Sequence, residues 1–163
     1  MKIYKVNNLL KNKVVALVGF MGVGKSTLGR RLAKKLDIPF VDSDKEIEIF
    51  CNMTIPDIFS KYGEKYFRSI EEKIIINILN VNEGPIILSL GGGAFVNDVI
   101  RKGLRNKAIS VWLKTDIIDI ITRIKRSQIE RPLLKKKDFS KAKTLKLYNE
   151  RKFYYGQANI ILD

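Results

Sequence analysis

A three-layer α/β fold, with a five-stranded parallel sheet and helices on both faces, is the class this sequence predicts. Short apolar runs alternate with longer stretches of helical period, the pattern of strand–helix crossovers. Consecutive strands joined through helices run parallel with right-handed connections. The 163 residues suffice for one core, so a single domain over 1–163 is expected.

The elements follow in order. Val14–Val18 is a buried first strand, and the helix after it places Leu28, Leu32 and Leu36 at i, i+4 and i+8. Asp37-Ile38-Pro39 ends that helix, because proline disfavours helix in the residue before it. Pro39–Val41 is a short second strand delivering Asp42-Ser43-Asp44, and Lys45–Phe50 is helical. Thr54 is a candidate cap, with Asp57 three residues on. A long helix after Gly63 carries Phe67, Ile70, Ile74 and Ile78 on one face. Glu83-Gly84-Pro85 turns the chain into a third strand, Ile86–Leu90, which ends in Gly91-Gly92-Gly93. Phe95–Gly103 is a helix, Ala108–Leu113 a fourth strand, and Asp116–Lys125 a helix capped by Thr115. Ser127–Ser140 is charged, contains Pro132 and lacks a clean period, so it reads as a loop or mobile lid at about 127–140. Lys141–Tyr155 closes at Gly156 as the final helix, and Asn159–Leu162 is the last strand.

Composition narrows the function classes. The longest apolar run falls far below the ~18 residues of a membrane span, and Lys2, Lys5, Lys11 and Lys13 interrupt any signal core. The single Cys51 excludes a disulfide framework, and no histidine exists to activate it as a nucleophile. A cytoplasmic protein with no membrane partner is expected. The net charge of +14 is uneven, with 17 Lys/Arg against 5 Asp/Glu in residues 101–152. A nucleic-acid surface, a site for small anions and a lysine-rich solvated surface all fit that asymmetry. Lys135-Lys136-Lys137 has no interleaved aromatic residues for base stacking, so no nucleic-acid partner is expected.

The chemistry is concentrated after the first strand. Residues 19–26 read Gly-Phe-Met-Gly-Val-Gly-Lys-Ser, a complete phosphate loop between a strand and a helix. Gly22 and Gly24 let successive N–H groups turn inward as an anion nest, and the helix start adds its positive dipole end. Lys25 reaches the β/γ-phosphates and the Ser26 hydroxyl ligates Mg²⁺. Gly22, Val23, Gly24, Lys25, Ser26 and Thr27 are therefore assigned to a nucleoside triphosphate, on the fold of the phosphate-loop NTPases.

Three motifs directly follow strands: this loop, Asp42-Ser43-Asp44 and Gly91-Gly92-Gly93. Ligands of parallel sheets collect at the carboxyl ends of strands, so the three converge in one cleft. Asp42 and Asp44 suit a carboxylate near Mg²⁺ and a second that orients or deprotonates an alcohol; as ordinary loop acids they would cap the next helix. Arg68 either pairs with Glu71 or Glu72 or binds a substrate carboxylate bidentately. Three glycines after a strand point to close backbone approach to a ligand. Arg131, in the lid, is either a phosphate contact or a solvated charge. Arg151 lies on the last helix, where exposure is the plain alternative to a role in the site.

Together these pieces resemble shikimate kinase over nearly the whole chain: GFMGVGKST at 19–27, DSD at 42–44, Phe67-Arg68 with Glu71, LGGGA at 90–94, RPLL at 131–134 and the Arg151 helix. The resemblance implies ATP-dependent phosphorylation of the 3-hydroxyl of shikimate, a step towards chorismate and the aromatic amino acids. It implies Asp44, Arg68, Gly91, Gly92, Gly93 and Arg151 around shikimate, on helices at about 44–80 and on the last helix. Asp42 and Ser26 serve Mg²⁺, Arg131 stabilises the γ-phosphate, and Arg126 stacks on adenine. Lys25, Asp44 and Arg131 form the catalytic set of an expected monomer. A nucleoside-monophosphate or other small-metabolite kinase would share the loop and lid, so DSD, Arg68 and Arg151 discriminate.

Overall fold

The structure is a computed structural model that describes residues 10, 13–126, 133 and 140–163. Its elements are β1 (Val14–Val18), α1 (Lys25–Leu36), β2 (Phe40–Asp42), α2 (Ser43–Cys51), α3 (Ile55–Val81), β3 (Ile86–Ser89), α4 (Asp98–Lys107), β4 (Ala108–Leu113), α5 (Ile117–Arg126), α6 (Lys141–Tyr155) and β5 (Ile160–Leu162). The strands form one sheet in the order β2-β3-β1-β4-β5, and every pairing is parallel. Each residue of β1 and β3 is buried, which requires helices on both faces of the sheet.

Register aligns the loops that carry the chemistry. Ser89 pairs with Leu17 on one side and Asp42 on the other, so β1, β2 and β3 end level. A second, smaller core of Ile47, Ile58, Phe67 and Ile70 ties α2 to α3 beside the sheet. No described helix is long and apolar enough to cross a membrane.

The sequence expectations hold for β1, β4 and α6 to the residue. Thr54 caps α3 as expected, its Oγ1 accepting from the Asp57 N–H at 3.3 Å. Other details differ. The buried line of α1 is Lys25, Gly29, Ala33 and Leu36, whereas Leu28 is exposed. Small residues win because α1 lies close on the sheet: a Cβ on Gly29 would stand 2.5 Å from the Phe40 ring. α3 starts at Ile55, before Gly63, and breaks there, where φ is 79°. Beyond the break its buried apolar line is Phe67, Ile70, Ile75 and Leu79, rotated from the expected Ile74 and Ile78. The expected 95–103 helix divides into a 3₁₀ turn at Ala94–Val96 and α4, whose cap Asn97 accepts from Val99 and Ile100 N–H groups. At α5 the capping side chain is Asp116, accepting from the Ile118 N–H at 2.7 Å, one residue after Thr115. Most of the 127–140 stretch, Arg131 included, lies outside the described residues.

Candidate active site

The strand ends open into a cleft of about 800 Å³. Its phosphate end is the turn between β1 and α1. Gly24 caps α1 at φ 99°, a left-handed conformation that glycine adopts without strain. No acidic side chain occupies the first turn of α1, which leaves its positive dipole end open to anions. Lys25 is buried, and its Nζ donates to the Gly19 and Phe20 carbonyls at 2.8 and 2.9 Å. Ser26 Oγ donates to Asp42 Oδ2 at 2.6 Å and lies 3.3 Å from Ser89 Oγ. Asp42 also caps α2, its Oδ1 accepting from the Asp44 N–H at 3.1 Å.

At the other end, carboxyl and guanidinium groups gather around the glycine run. A Cβ on Gly91 would stand 2.6 Å from Asp44 Oδ1 and 2.8 Å from Glu71 Oε1. A Cβ on Gly92 would meet the Met21 nitrogen at 3.0 Å, and one on Gly93 would stand 2.6 Å from the Arg68 guanidinium. Gly91 is anchored from α2 by its N–H, which donates to Ser43 Oγ at 3.0 Å. Arg68 Nη1 donates to Glu71 Oε2 at 2.7 Å, and Nη2 to the exposed Glu64 at 3.1 Å. Arg151, buried, donates from Nη1 to the Gly92 carbonyl at 3.1 Å.

These contacts settle the electrostatics. Burial, with Asp42 and Glu71 nearby, pushes the Asp44 carboxyl up from 3.8 to about 6 against the pull of Lys25 and Arg68. Burial also raises Glu71, even beside the Arg68 guanidinium. Arg68 loses hydration by burial, yet Glu71 and Glu64 hold it above its ordinary value. Burial draws Arg151 below its ordinary value.

The cleft unites most of the expected residues: Gly22, Gly24, Lys25, Ser26, Thr27, Asp42, Asp44, Arg68, Gly91, Gly92, Gly93 and Arg151 all line it. Val23 is buried behind the loop and its side chain is not among the lining residues. Arg126 is exposed at the end of α5, and Arg123, one turn earlier, lines the cleft and donates to the Val23 carbonyl at 3.3 Å. Two further lining groups escaped the sequence reading in this role. Glu71 is 1% exposed, and its Oε1 has no hydrogen-bond partner among the described residues. Phe59, which also lines the cleft, packs its ring 4.7 Å from that of Phe67. A carboxylate inside an otherwise apolar helix stripe was the available signal for Glu71.

Among the described residues no group of three or more His, Cys, Asp or Glu could hold a metal by itself. The Ser26–Asp42–Ser89 oxygens are nonetheless hard donors beside the phosphate turn. Such a set fits Mg²⁺, which takes one or two protein oxygens and completes its shell with phosphate and water.

A family model described as shikimate kinase matches residues 21–163. The shikimate kinase of Bradyrhizobium diazoefficiens is 45% identical over 148 residues, covering 91% of this chain and 70% of its own length. That of Nitrobacter winogradskyi is 47% identical over 152 residues, covering 93% and 69%. The solved shikimate kinase from Acinetobacter baumannii, in complex with shikimate, has a TM-score of 0.86 at 33% identity, over 96% of this chain and 87% of that one. A gluconokinase from Sinorhizobium meliloti, 17% identical with a TM-score of 0.54 over 85% and 74%, shares the fold alone. The family match runs from inside the phosphate loop to the last residue, and the relatives are this similar over most of their own length. The chain belongs to the shikimate kinase family.

Proposed function

We propose that the chain transfers the γ-phosphoryl group of ATP to the 3-hydroxyl of shikimate, giving ADP and shikimate 3-phosphate. One observation carries the reading: a phosphate loop and a carboxylate–arginine–glycine cluster line the same cleft. The first binds the donor, and the second suits a small hydroxylated acid.

The loop N–H groups of Gly22, Val23 and Gly24 and the first turn with Thr27 cradle the polyphosphate. Lys25 exchanges its two carbonyl partners for β/γ-oxygens and stabilises the charge that shifts to the leaving ADP. Ser26 and, through water, Asp42 would hold Mg²⁺, which would supply neutralisation of the phosphate charge. Arg68 and Arg151 face the acid carboxylate, and Glu71 orients Arg68. Asp44 accepts the proton of the attacking hydroxyl as the new O–P bond forms and the β–γ bridge breaks. A carboxyl lifted to about 6 accepts a proton more readily than an ordinary one and is still mostly ionised at neutral pH. Arg131, on the lid, stabilises the γ-phosphate, and Arg126 covers adenine. The helices of about 44–80 form the acceptor side of a single-domain, cytoplasmic monomer.

A coupled ADP-release assay with MgATP tests this against gluconate, quinate and nucleoside monophosphates. Turnover with shikimate, abolished by EDTA, is the expected result. ADP release with a nucleoside monophosphate and none with shikimate would reject the reading.

A further inference from the structure

Tyr155 is 0% exposed at the end of α6, and its hydroxyl donates to the Gly92 carbonyl. The same oxygen accepts from Arg151 Nη1 at 3.1 Å. A carbonyl has two lone pairs, so two donors from one helix saturate it. No peptide in the described chain is cis. In a trans peptide the C=O and the following N–H point in opposite directions. Fixing the Gly92 carbonyl towards α6 therefore turns the Gly93 N–H away from that helix. Among the described residues no protein acceptor takes the Gly93 N–H. The Ala94 N–H donates to the Gly91 carbonyl at 3.1 Å and closes a turn around this peptide, yet glycines at both central positions let the peptide flip within that turn.

We infer that Tyr155 is a positioning residue for shikimate: its hydroxyl locks the Gly92–Gly93 peptide so that the Gly93 N–H is presented to the bound acid. The inference rests on the function proposed above. Arg151 cannot hold the peptide alone, because its guanidinium is also the partner of the acid's carboxylate. The Tyr155 hydroxyl is also hydrogen-bonded to Arg151, and its own proton stays on the carbonyl while Arg151 engages the ligand. Burial, against the pull of Arg151, pushes its phenol up to about 12, so it remains a donor throughout the working pH range. Its ring packs 5.9 Å from the ring of Trp112, the single tryptophan, on β4. The hydroxyl is thereby fixed from the sheet side.

Tyr155→Phe removes the hydroxyl and keeps the ring. Loss of one such bond should raise KM for shikimate roughly 3- to 10-fold, with kcat within about twofold and KM for ATP unchanged. Trp112→Phe loosens the packing around Tyr155 without touching the hydrogen bond. It should lower Tm and leave KM for shikimate within about twofold. An unchanged KM in Tyr155→Phe, or an equal rise in Trp112→Phe, overturns the inference while shikimate turnover by the wild type still stands. Wild-type protein that does not phosphorylate shikimate rejects the functional reading and this inference with it. Amide exchange on the wild type needs no variant to fold. The Gly93 N–H should exchange fast in the free protein and slow on adding shikimate, and slow exchange without ligand overturns the inference.

Discussion

At the phosphate end of the cleft the polar side chains are tied to one another, Lys25 to two loop carbonyls and Ser26 to Asp42. At the acceptor end Asp44 and Glu71 converge on Gly91, and one oxygen, Glu71 Oε1, is buried with no partner among the described residues. On the function proposed above, the first arrangement holds stand-ins: carbonyl oxygens would give way to phosphate oxygens at Lys25, and the Ser26–Asp42 pair would give way to a hydrated cation. Ligand binding there exchanges one set of hydrogen bonds for another. The second arrangement half-buries Asp44 and fully buries Glu71, and the lost hydration lifts both and disfavours their ionised forms. Catalytic charge is thus cheap to hold at one end and a burden on stability at the other.

The largest effect should come from the phosphate end. Lys25→Ala removes a stabiliser of developing charge and should lower kcat roughly 10²- to 10³-fold. Near-normal turnover in a folded variant would leave the loop without a catalytic role. At the acceptor end Arg68→Lys keeps the charge but loses the planar fork shared with Glu71 and Glu64. Charge-assisted hydrogen bonds of this kind are worth enough that kcat/KM for shikimate should fall about 10- to 100-fold. A lysine variant with full kcat/KM would reduce Arg68 to a helix ion-pair partner. Asp42→Asn weakens the clamp on Ser26 and should raise the Mg²⁺ concentration for half-maximal rate by roughly tenfold. An unchanged Mg²⁺ titration would remove Asp42 from the metal shell.

Asp44 separates stability from activity in one residue. The folded protein retains this proton at pH values where the unfolded chain has released it, so the group's contribution to stability falls as pH rises from 3.8 to about 6. Over the same window kcat/KM should rise with pH and level off above about 6 as the base ionises. Asp44→Asn should abolish turnover yet raise Tm at pH 7 by roughly a few degrees. A lower Tm in this variant would show that the buried carboxylate is compensated after all.

β1 and β3 were legible because burial on both faces makes them continuous apolar runs, as in Val14–Val18. The phosphate loop and the two aspartates were legible because each lies next to a strand end, where topology alone fixes the neighbourhood. Helix faces were less so. In α1 a leucine stripe competes with Gly29 and Ala33, and the close approach of Phe40 selects the small residues. That contact joins residues eleven apart and leaves no local pattern. In α3 the break at Gly63 resets the helical phase, so Ile75 and Leu79 replace Ile74 and Ile78 in the core. Glu71 was read as a helix partner of Arg68, although its place in an apolar stripe hinted at burial; its approach to Gly91, a residue of another element, left no local pattern. Arg151 illustrates the same limit: its helix is highly charged, and only the fold brings it against Gly92.

The glycine run also bears on how this cleft can change under selection. A side chain at each of three successive positions would push against something different: two carboxylates at Gly91, the phosphate-loop backbone at Gly92 and a guanidinium at Gly93. No single compensating substitution relieves all three, since the obstacles are different residues: Asp44 and Glu71, Met21, and Arg68. An inhibitor that draws its affinity from the backbone of this loop would therefore meet a target with few escape routes. Any side chain able to block the inhibitor would first displace Asp44 and Glu71, the Met21 backbone or the Arg68 guanidinium.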